Sequence, residues 1–380
     1  MVFFLAFIIL LLTAHLVLIE NYRRLFLKIK PFTPSALPPH IFFTVIIPAR
    51  NEQDRIRTCL ETVLHQSYPR HLFEVIVADD FSTDGTVAVV ENMQQQFPNL
   101  NLLQLDKVLE HKKLNSYKKK AIELAISRAK GEWIVTTDAD CAVPVNWLAQ
   151  FAQFISQNNS VFVAAPVKFS NTGSFVSIFQ CLDFMSLQGI TAASVYHGIH
   201  SMCNGANLTY RKTVFYEVGG FKGIDNIASG DDMLLMHKIY RNNKKRVHFL
   251  FSPGSVVETP PMETWSAFFN QRIRWASKAE KFDDKRILAV LSFIYLFNLS
   301  FIVMPFLAFW HSEMWKFWWL MITAKTLIEL RFMLPVAAFF GQKKLLWWFP
   351  IMQPFHIIYT VVAGWLGKFG KYSWKGRVVK

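Results

Sequence analysis

Apolar residues are distributed along this chain in two ways. At both ends they form long runs, and between residues 41 and 285 they fall into short runs and helical spacings. Residues 2–19 are apolar apart from Thr13 and His15. As a helix they would span about 27 Å, close to the thickness of a hydrocarbon core. No basic stretch precedes this run and no small-residue cleavage site follows it, so the pattern predicts a retained anchor and not a cleaved leader. Three more apolar segments follow Arg286. Residues 287–310 predict a clean span. Residues 317–340 carry Lys325, Glu329 and Arg331, and the first two, four apart, can pair on one helix face. Residues 345–366 are interrupted by Pro350, Pro354 and His356.

The middle of the chain contains no apolar run of membrane length on this pattern. Residues 42–48, 73–78, 101–105 and 133–137 predict buried strands, and residues 54–65, 86–95 and 118–130 predict helices between them. Strands and helices alternating at this spacing imply a mostly parallel sheet flanked by helices, with ligands bound beyond the carboxyl ends of its strands. The predicted organisation is an anchor at 1–20, a basic, proline-rich linker at 21–40 and an α/β domain at 41–285. A membrane region of two to three hydrophobic segments follows at 286–367, and a basic tail at 368–380.

Composition sharpens the membrane assignment. The chain is 52% hydrophobic, with 36 Phe and 12 Trp, which is rich for a soluble domain. A net charge of +14 suits nucleic acid or an anionic membrane surface. There is no nucleic-acid motif, and the basic clusters flank apolar segments, so the membrane is the expected partner. Arg23, Arg24, Lys28 and Lys30 follow the first apolar run, which places the middle domain in the cytoplasm. The tail at 368–380 has basic and no acidic residues and is expected on the same side, so one of the last two segments should be re-entrant or interfacial. Cys59, Cys141, Cys181 and Cys203 lie far apart, as expected of free core thiols in a reducing compartment.

Polar residues collect at the predicted strand ends. The first strand ends in Pro48-Ala49-Arg50-Asn51-Glu52, the second in Asp79-Asp80-Phe81-Ser82-Thr83-Asp84-Gly85, and the last in Asp138-Ala139-Asp140. Asp84-Gly85 reads as a turn opening a helix. Two carboxylates one residue apart at a strand end can share a hard divalent cation, Mg²⁺ or Mn²⁺, with diphosphate and water filling the other positions. An Asp231-Asp232 pair lies further on. In such a pair one carboxylate tends to raise the pKa of the other, which suits a general base, while either acid could instead cap the helix predicted at 233–240.

Together, Val-Ile-Ile-Pro-Ala-Arg-Asn-Glu, Val-Ala-Asp-Asp-Phe-Ser-Thr-Asp-Gly-Thr and Asp-Ala-Asp resemble the nucleotide-binding half of the membrane-associated, bacterial-type, family-two inverting glycosyltransferases. The resemblance covers residues 41–285 and implies a GT-A-like fold with N-terminal and C-terminal transmembrane helices. It implies that Asp79 and Asp80 hold the nucleoside, with the base near Pro48, Arg50 and Glu52, and that Lys118 reaches the donor. It implies that Asp138 and Asp140 take the metal and that Asp138 also meets the sugar diphosphate. Glu123 stands where the family often has Asn. Lys119 and Lys120 read equally well as a solvated helix start.

Cys203-Asn204-Gly205-Ala206-Asn207 with Arg211 resembles the family's acceptor-side loop. By the same resemblance Asp232, beside Asp231, is the catalytic base. Gln271-Arg272-Ile273-Arg274-Trp275 matches the family's Gln-x-x-Arg-Trp motif, so Gln271, Arg274 and Trp275 are expected on the nucleotide-sugar side, with Arg274 offering a planar fork of donors to the leaving diphosphate. An interfacial anchor is the alternative for that Arg–Trp pair. The tail Trp374-Lys375-Gly376-Arg377 is similar to tails of bacterial lipid-modifying relatives and by default anchors at the membrane surface.

These observations imply transfer of a sugar from a nucleotide-diphosphate sugar, a UDP-sugar by preference, to a lipid or glycan acceptor at the cytoplasmic face of a bacterial inner membrane. A processive polysaccharide synthase, a nucleotidyltransferase and a non-catalytic scaffold with a relic fold are the alternatives. The sugar is not legible, because its selectivity depends on pocket shape around the hexose, and neither is the acceptor, because residues 161–200 carry no motif.

Overall fold

The computed structural model describes residues 2–34, 38–109, 116–199, 202–227, 230–277, 284–369, 372–374 and 377–379. The chain divides into two compact units. One comprises Lys30–Lys168 and Ser201–Pro260, the other Met1–Ile29, Phe169–His200 and Pro261–Lys380.

The first unit is built on a seven-stranded sheet. Its strands are β1 (Phe43–Ala49), β2 (Phe73–Asp79), β3 (Leu100–Gln104), β4 (Trp133–Thr136), β5 (Phe162–Ala164), β6 (Leu208–Arg211) and β7 (Val247–Phe249), in the order β3-β2-β1-β4-β6-β5-β7. β1 pairs in parallel with β2 and β4, β2 with β3, and β5 with β7, whereas β6 runs antiparallel to both of its neighbours. The mostly parallel sheet expected from the sequence is present. β2 and β4 are buried along their whole length, which explains why they read as unbroken apolar runs and not as alternating ones.

Helices cover the sheet for reasons visible in their spacing. Ile56–Leu64 buries Ile56, Cys59, Leu60, Val63 and Leu64, an apolar stripe of helical period. Thr86–Gln94 begins where Asp84 accepts hydrogen bonds from Thr86 N (3.0 Å) and Gln53 N (3.2 Å), the turn role read from the sequence. Gly131 admits the close approach of the β4 entry to β1: a Cβ there would lie 2.5 Å from Thr44 N. In that space Thr44 Oγ1 accepts from Gly131 N (2.9 Å) and donates to Glu74 (2.8 Å).

The second unit contains the helices Val2–Leu27, Phe175–Tyr196, Trp265–Ala276, Lys285–Ala308, Glu313–Phe339 and Phe349–Phe369. The first continues past residue 20 into the expected linker, because Glu20 pairs with Arg23 (2.7 Å) and Arg24 (3.2 Å) one turn on. Among the described residues four helical segments are, by length and composition, apolar enough to cross a membrane: Phe3–Leu27, Phe175–Tyr196, Lys285–Ala308 and Lys343–Lys368. Phe175–Tyr196 corrects the expectation that residues 41–285 hold no apolar segment of that length. It is the least apolar of the four and the most buried within the protein, and Gly189 lets it lie close to Val336 and Phe332 of Glu313–Phe339.

Two charges of Glu313–Phe339, Lys325 and Glu329, are turned inward. Lys325, fully buried, lies 2.7 Å from Glu329, the pair expected from their spacing, and donates to Gln353 (2.8 Å). Gln353 donates to Glu329 (2.7 Å), and His15 Nε2 lies 3.0 Å from Glu329. Of the tail motif, Lys375 and Gly376 lie outside the described residues. The strands flanking them, Tyr372–Trp374 and Arg377–Val379, pair antiparallel.

Candidate active site

The sheet register sets the site. Ala49 of β1 lies opposite Asp79 of β2, and Ile46 lies opposite Thr136 of β4, so the three motif-bearing strand ends share one carboxyl edge. Pro48 and Asp79 lie in the last two residues of their strands, and Arg50, Glu52, Asp80, Asp138 and Asp140 lie just beyond the ends.

On the β1–β2 side the loops are tied by mutual hydrogen bonds. Arg50 Nη1 donates to the carbonyls of Asp80 (2.7 Å) and Phe81 (3.1 Å), and Glu52 N donates to Thr86 Oγ1 (2.8 Å). Asn51 and Phe81 both have left-handed backbone, with φ of 52° and 55°. Such strain concentrates at functional loops that the surroundings over-determine.

Asp79 is 2% exposed. Its Oδ2 accepts from Ser82 N (3.2 Å), while Oδ1 is buried without a hydrogen-bond partner among the described residues. Burial pushes its pKa up, against the smaller opposing effect of its bonds to Ser82. An acid raised in this way costs folding free energy: the penalty is absent below its unfolded pKa, grows between the unfolded and folded values, and is full above the folded one. Asp79→Asn should therefore raise stability near pH 7 by about 0.5–2 kcal/mol and weaken nucleotide binding roughly tenfold or more, through loss of a charged acceptor. Melting curves across pH and a nucleotide titration check this. A lower melting temperature with unchanged nucleotide affinity would make Asp79 structural only.

Around β4 the acids meet one cation. Lys118 Nζ lies 2.8 Å from Asp138 Oδ1 and 3.3 Å from Asp231 Oδ2. Burial alone would lower the pKa of Lys118, but the charges of Asp138, Asp231 and Asp232 together hold it above its usual value. Asp140, partly exposed, follows the buried Ala139 and the partly exposed Asp138. Lys119 differs from the solvated reading. It is 2% exposed and donates to the carbonyls of Ile224 and Ile227 (2.6 Å each), so it pins a loop, whereas Lys120 pairs with Glu123 (2.7 Å) near the surface.

Asp232 is the N-cap of Met233–Asn243. Its Oδ1 accepts from Met233 N (2.7 Å) and its Oδ2 from Gly205 N (3.0 Å), so this carboxylate is fixed by two backbone donors, one of them from the expected acceptor-side loop. Each oxygen keeps a lone pair for a further proton or donor. In that loop Asn207 is fully buried, accepting from Trp147 Nε1 (2.8 Å) and donating to the carbonyls of Pro166 and Ser255 (2.7 Å each). Asn207 is a peg of the scaffold, not a surface contact. Ser229, two residues before that Asp-Asp pair, lies outside the described residues.

Gln271, Arg274 and Trp275 belong to the second unit, on the helix Trp265–Ala276. Within that motif Arg272, which sequence reasoning passed over, is buried next to the buried Ile273. Its guanidinium meets Asp183 Oδ2 from Nε (3.0 Å) and Nη2 (2.7 Å), and its Nη1 donates to Gln271 Oε1 (2.7 Å). Phe268 and Trp275 pack against it at 4.7 and 4.2 Å. Asp183 also accepts from Tyr359 Oη. The available signal was Asp183 itself, a lone acid within an apolar helix.

Two family models match this chain: "Glycosyl transferase family 2" over residues 44–219, and "Glycosyl transferase family group 2" over residues 133–366. Glycosyltransferase AglE of Haloferax volcanii is 29% identical over 199 residues, 52% of this chain and 60% of that one. Beta-monoglucosyldiacylglycerol synthase of Synechocystis sp. is 23% identical over 267 residues, 66% of this chain and 52% of that one. The chain thus spans a little over half the length of these curated relatives. In structure it resembles the mannosyltransferase PcManGT from Pyrobaculum calidifontis in complex with GDP-Man and Mn²⁺, with a TM-score of 0.55 and 21% identity over 95% of this chain and 99% of that one. The fold is GT-A-like.

Proposed function

The chain belongs to glycosyl transferase family group 2, and from that membership we propose that it is an inverting enzyme moving a sugar from a nucleotide-diphosphate sugar, by preference a UDP-sugar, to a lipid or lipid-linked acceptor. The observation that carries this reading is the meeting of Asp138 and Asp231 on the Lys118 ammonium, with Asp232 adjacent and fixed by Gly205 and Met233. One end of this constellation follows the donor-side strands, and the other opens the helix that carries the proposed base.

In the reaction, the acceptor hydroxyl oxygen forms a bond to the anomeric carbon while that carbon's bond to the diphosphate breaks, with inversion. Asp232 takes the hydroxyl proton, and the nucleoside diphosphate leaves with the bonding pair. Asp79 and Asp80, with Pro48, Arg50 and Glu52, hold the nucleoside. The buried, unpartnered Asp79 Oδ1 is an acceptor suited to a base N–H.

Asp138 and Asp140 offer hard oxygen donors, and among the described residues no group of three or more His, Cys, Asp or Glu could hold a metal. That donor set fits Mg²⁺ or Mn²⁺ completed by ligand oxygens and water. Bound there, the ion would supply positive charge against the diphosphate. Gln271, Arg274 and Trp275 enter the proposal on their motif alone, Arg274 as the donor fork for the leaving group.

The four apolar helices among the described residues support an integral membrane protein; the basic residues after the first of them favour a cytoplasmic placement, in a bacterial inner membrane, for the sheet-bearing part of 41–285 apart from Phe175–Tyr196. The diacylglycerol relative, 23% identical over 66% of this chain, supports a lipid acceptor. The test is transfer by detergent-purified protein, scanning UDP- and GDP-sugars with Mn²⁺ and a total lipid extract. Metal-dependent release of a nucleoside diphosphate with a glycolipid product is expected. Glycosylation of soluble acceptors only would overturn the lipid assignment, and failure to bind any nucleotide sugar would overturn the whole reading.

A further inference from the structure

We propose that Lys118 is a latch that makes the metal ion and the nucleoside diphosphate bind as a cooperative pair. The inference rests on the reading that Asp138 and Asp140 take the ion. It concerns what the Lys118 side chain does before the ion arrives.

The Lys118 ammonium bridges two acids that belong to different parts of the chain. It lies 2.8 Å from Asp138 Oδ1, on the loop after β4, and 3.3 Å from Asp231 Oδ2, just before Met233–Asn243. The three side chains are 22%, 38% and 11% exposed, so the contacts are only partly screened. Lys118 sits in the first turn of Tyr117–Arg128, and the next residue, Lys119, is anchored by two carbonyls 2.6 Å away. The helix start therefore cannot swing away, and the ammonium reaches the acids by its flexible stem. This is a monovalent cation standing where the charge of a divalent one is expected.

Two consequences follow from sharing Asp138. An incoming ion competes with Lys118 for that carboxylate, and it also meets the repulsion of an ammonium nearby. The protein without nucleotide should therefore hold the ion weakly. A nucleoside diphosphate changes both terms, because its oxygens complete the ion's shell and give the displaced ammonium a new acceptor. By linkage, each ligand then strengthens the other by the same factor. Without ligands the ammonium also ties the Asp138 loop to the Asp231-Asp232 segment. Displacing it would release that tie at the moment the donor arrives.

The test reads metal binding directly and not turnover. Free Mn²⁺ is titrated by its electron paramagnetic resonance signal against the purified full chain, alone and with saturating UDP. Lys118→Met is expected to bind Mn²⁺ alone about tenfold more tightly than the unsubstituted chain, since one charge-assisted competitor is gone. It should also show a smaller enhancement of Mn²⁺ binding by UDP, and weaker UDP binding. Lys118→Gln, which keeps a donor and drops the charge, should shift in the same direction. Its melting curve serves to show that the fold is retained. Lys118→Arg should retain the coupling. If both neutral variants bind Mn²⁺ alone as weakly as the unsubstituted chain, or more weakly, the latch is overturned while the transfer reading stands. If the unsubstituted chain binds neither Mn²⁺ nor UDP, the transfer reading fails first and the latch with it.

Discussion

Replacing Asp232 with Asn should lower turnover by about 10²–10⁴-fold, the range of a lost general base, with donor affinity changed little. The substitution alone would be ambiguous, because Asp232 also caps Met233–Asn243 and accepts from Gly205 N. An amide in its place would set its own N–H against one of those backbone donors. Losing the cap would then cost about 0.5–2 kcal/mol of stability. Asp232→Ser separates the two roles, since a serine hydroxyl caps well but is no base at neutral pH. Both variants should lose turnover to a similar extent, and only Asn should lose much thermal stability. If the Ser variant kept turnover within about tenfold, Asp232 would be a cap and Asp231 would inherit the role of base.

The second large effect lies in the other unit. Asp183→Asn should destabilise the protein by about 3–5 kcal/mol, because it leaves the buried Arg272 guanidinium without its counter-charge. Both side chains are almost fully buried, at 4% and 2% exposed, and Arg272 is clasped between Phe268 and Trp275. Replacing both partners with apolar residues removes the need for compensation, and a methionine at 272 can keep contact with the two rings. The double variant Asp183→Leu/Arg272→Met should recover most of the stability lost in Asp183→Asn. Unfolding in detergent, followed by intrinsic tryptophan fluorescence, measures both. A single variant within about 1 kcal/mol of the unsubstituted protein would mean that water reaches the pair.

The residues that the sequence made legible and those it hid differ in range. β1, β2 and β4 were readable because full burial imprints an unbroken apolar run, and because their functional residues follow within a few positions of the strand end. The acids of the site could be found that way. Their shared contact with Lys118 could not, since it joins positions 20 apart to a third on another segment. Lys119, left open by the sequence, shows this most clearly. Three lysines in a row look solvated, yet one of them is satisfied by carbonyls more than 100 residues away, which no local pattern records. In the Gln-x-x-Arg-Trp motif the arginine that attracted notice was Arg274, while the buried one is Arg272, whose acid lies 89 residues upstream. Likewise Phe175–Tyr196 was overlooked because Asp183, Gln180 and Gln188 dilute its apolar character, and those polar groups are buried.

The contact between His15 and Glu329 changes what the first helix is. A buried ion costs roughly several kcal/mol of desolvation, and Lys325 and Glu329 bring two of them on one helix. They offset each other in part, but a carboxylate has more lone pairs than one ammonium can fill. The remaining donors come from Gln353 and from His15, the latter 314 residues away along the chain. Val2–Leu27 therefore does more than tether a domain: for Glu329 it takes the place of water.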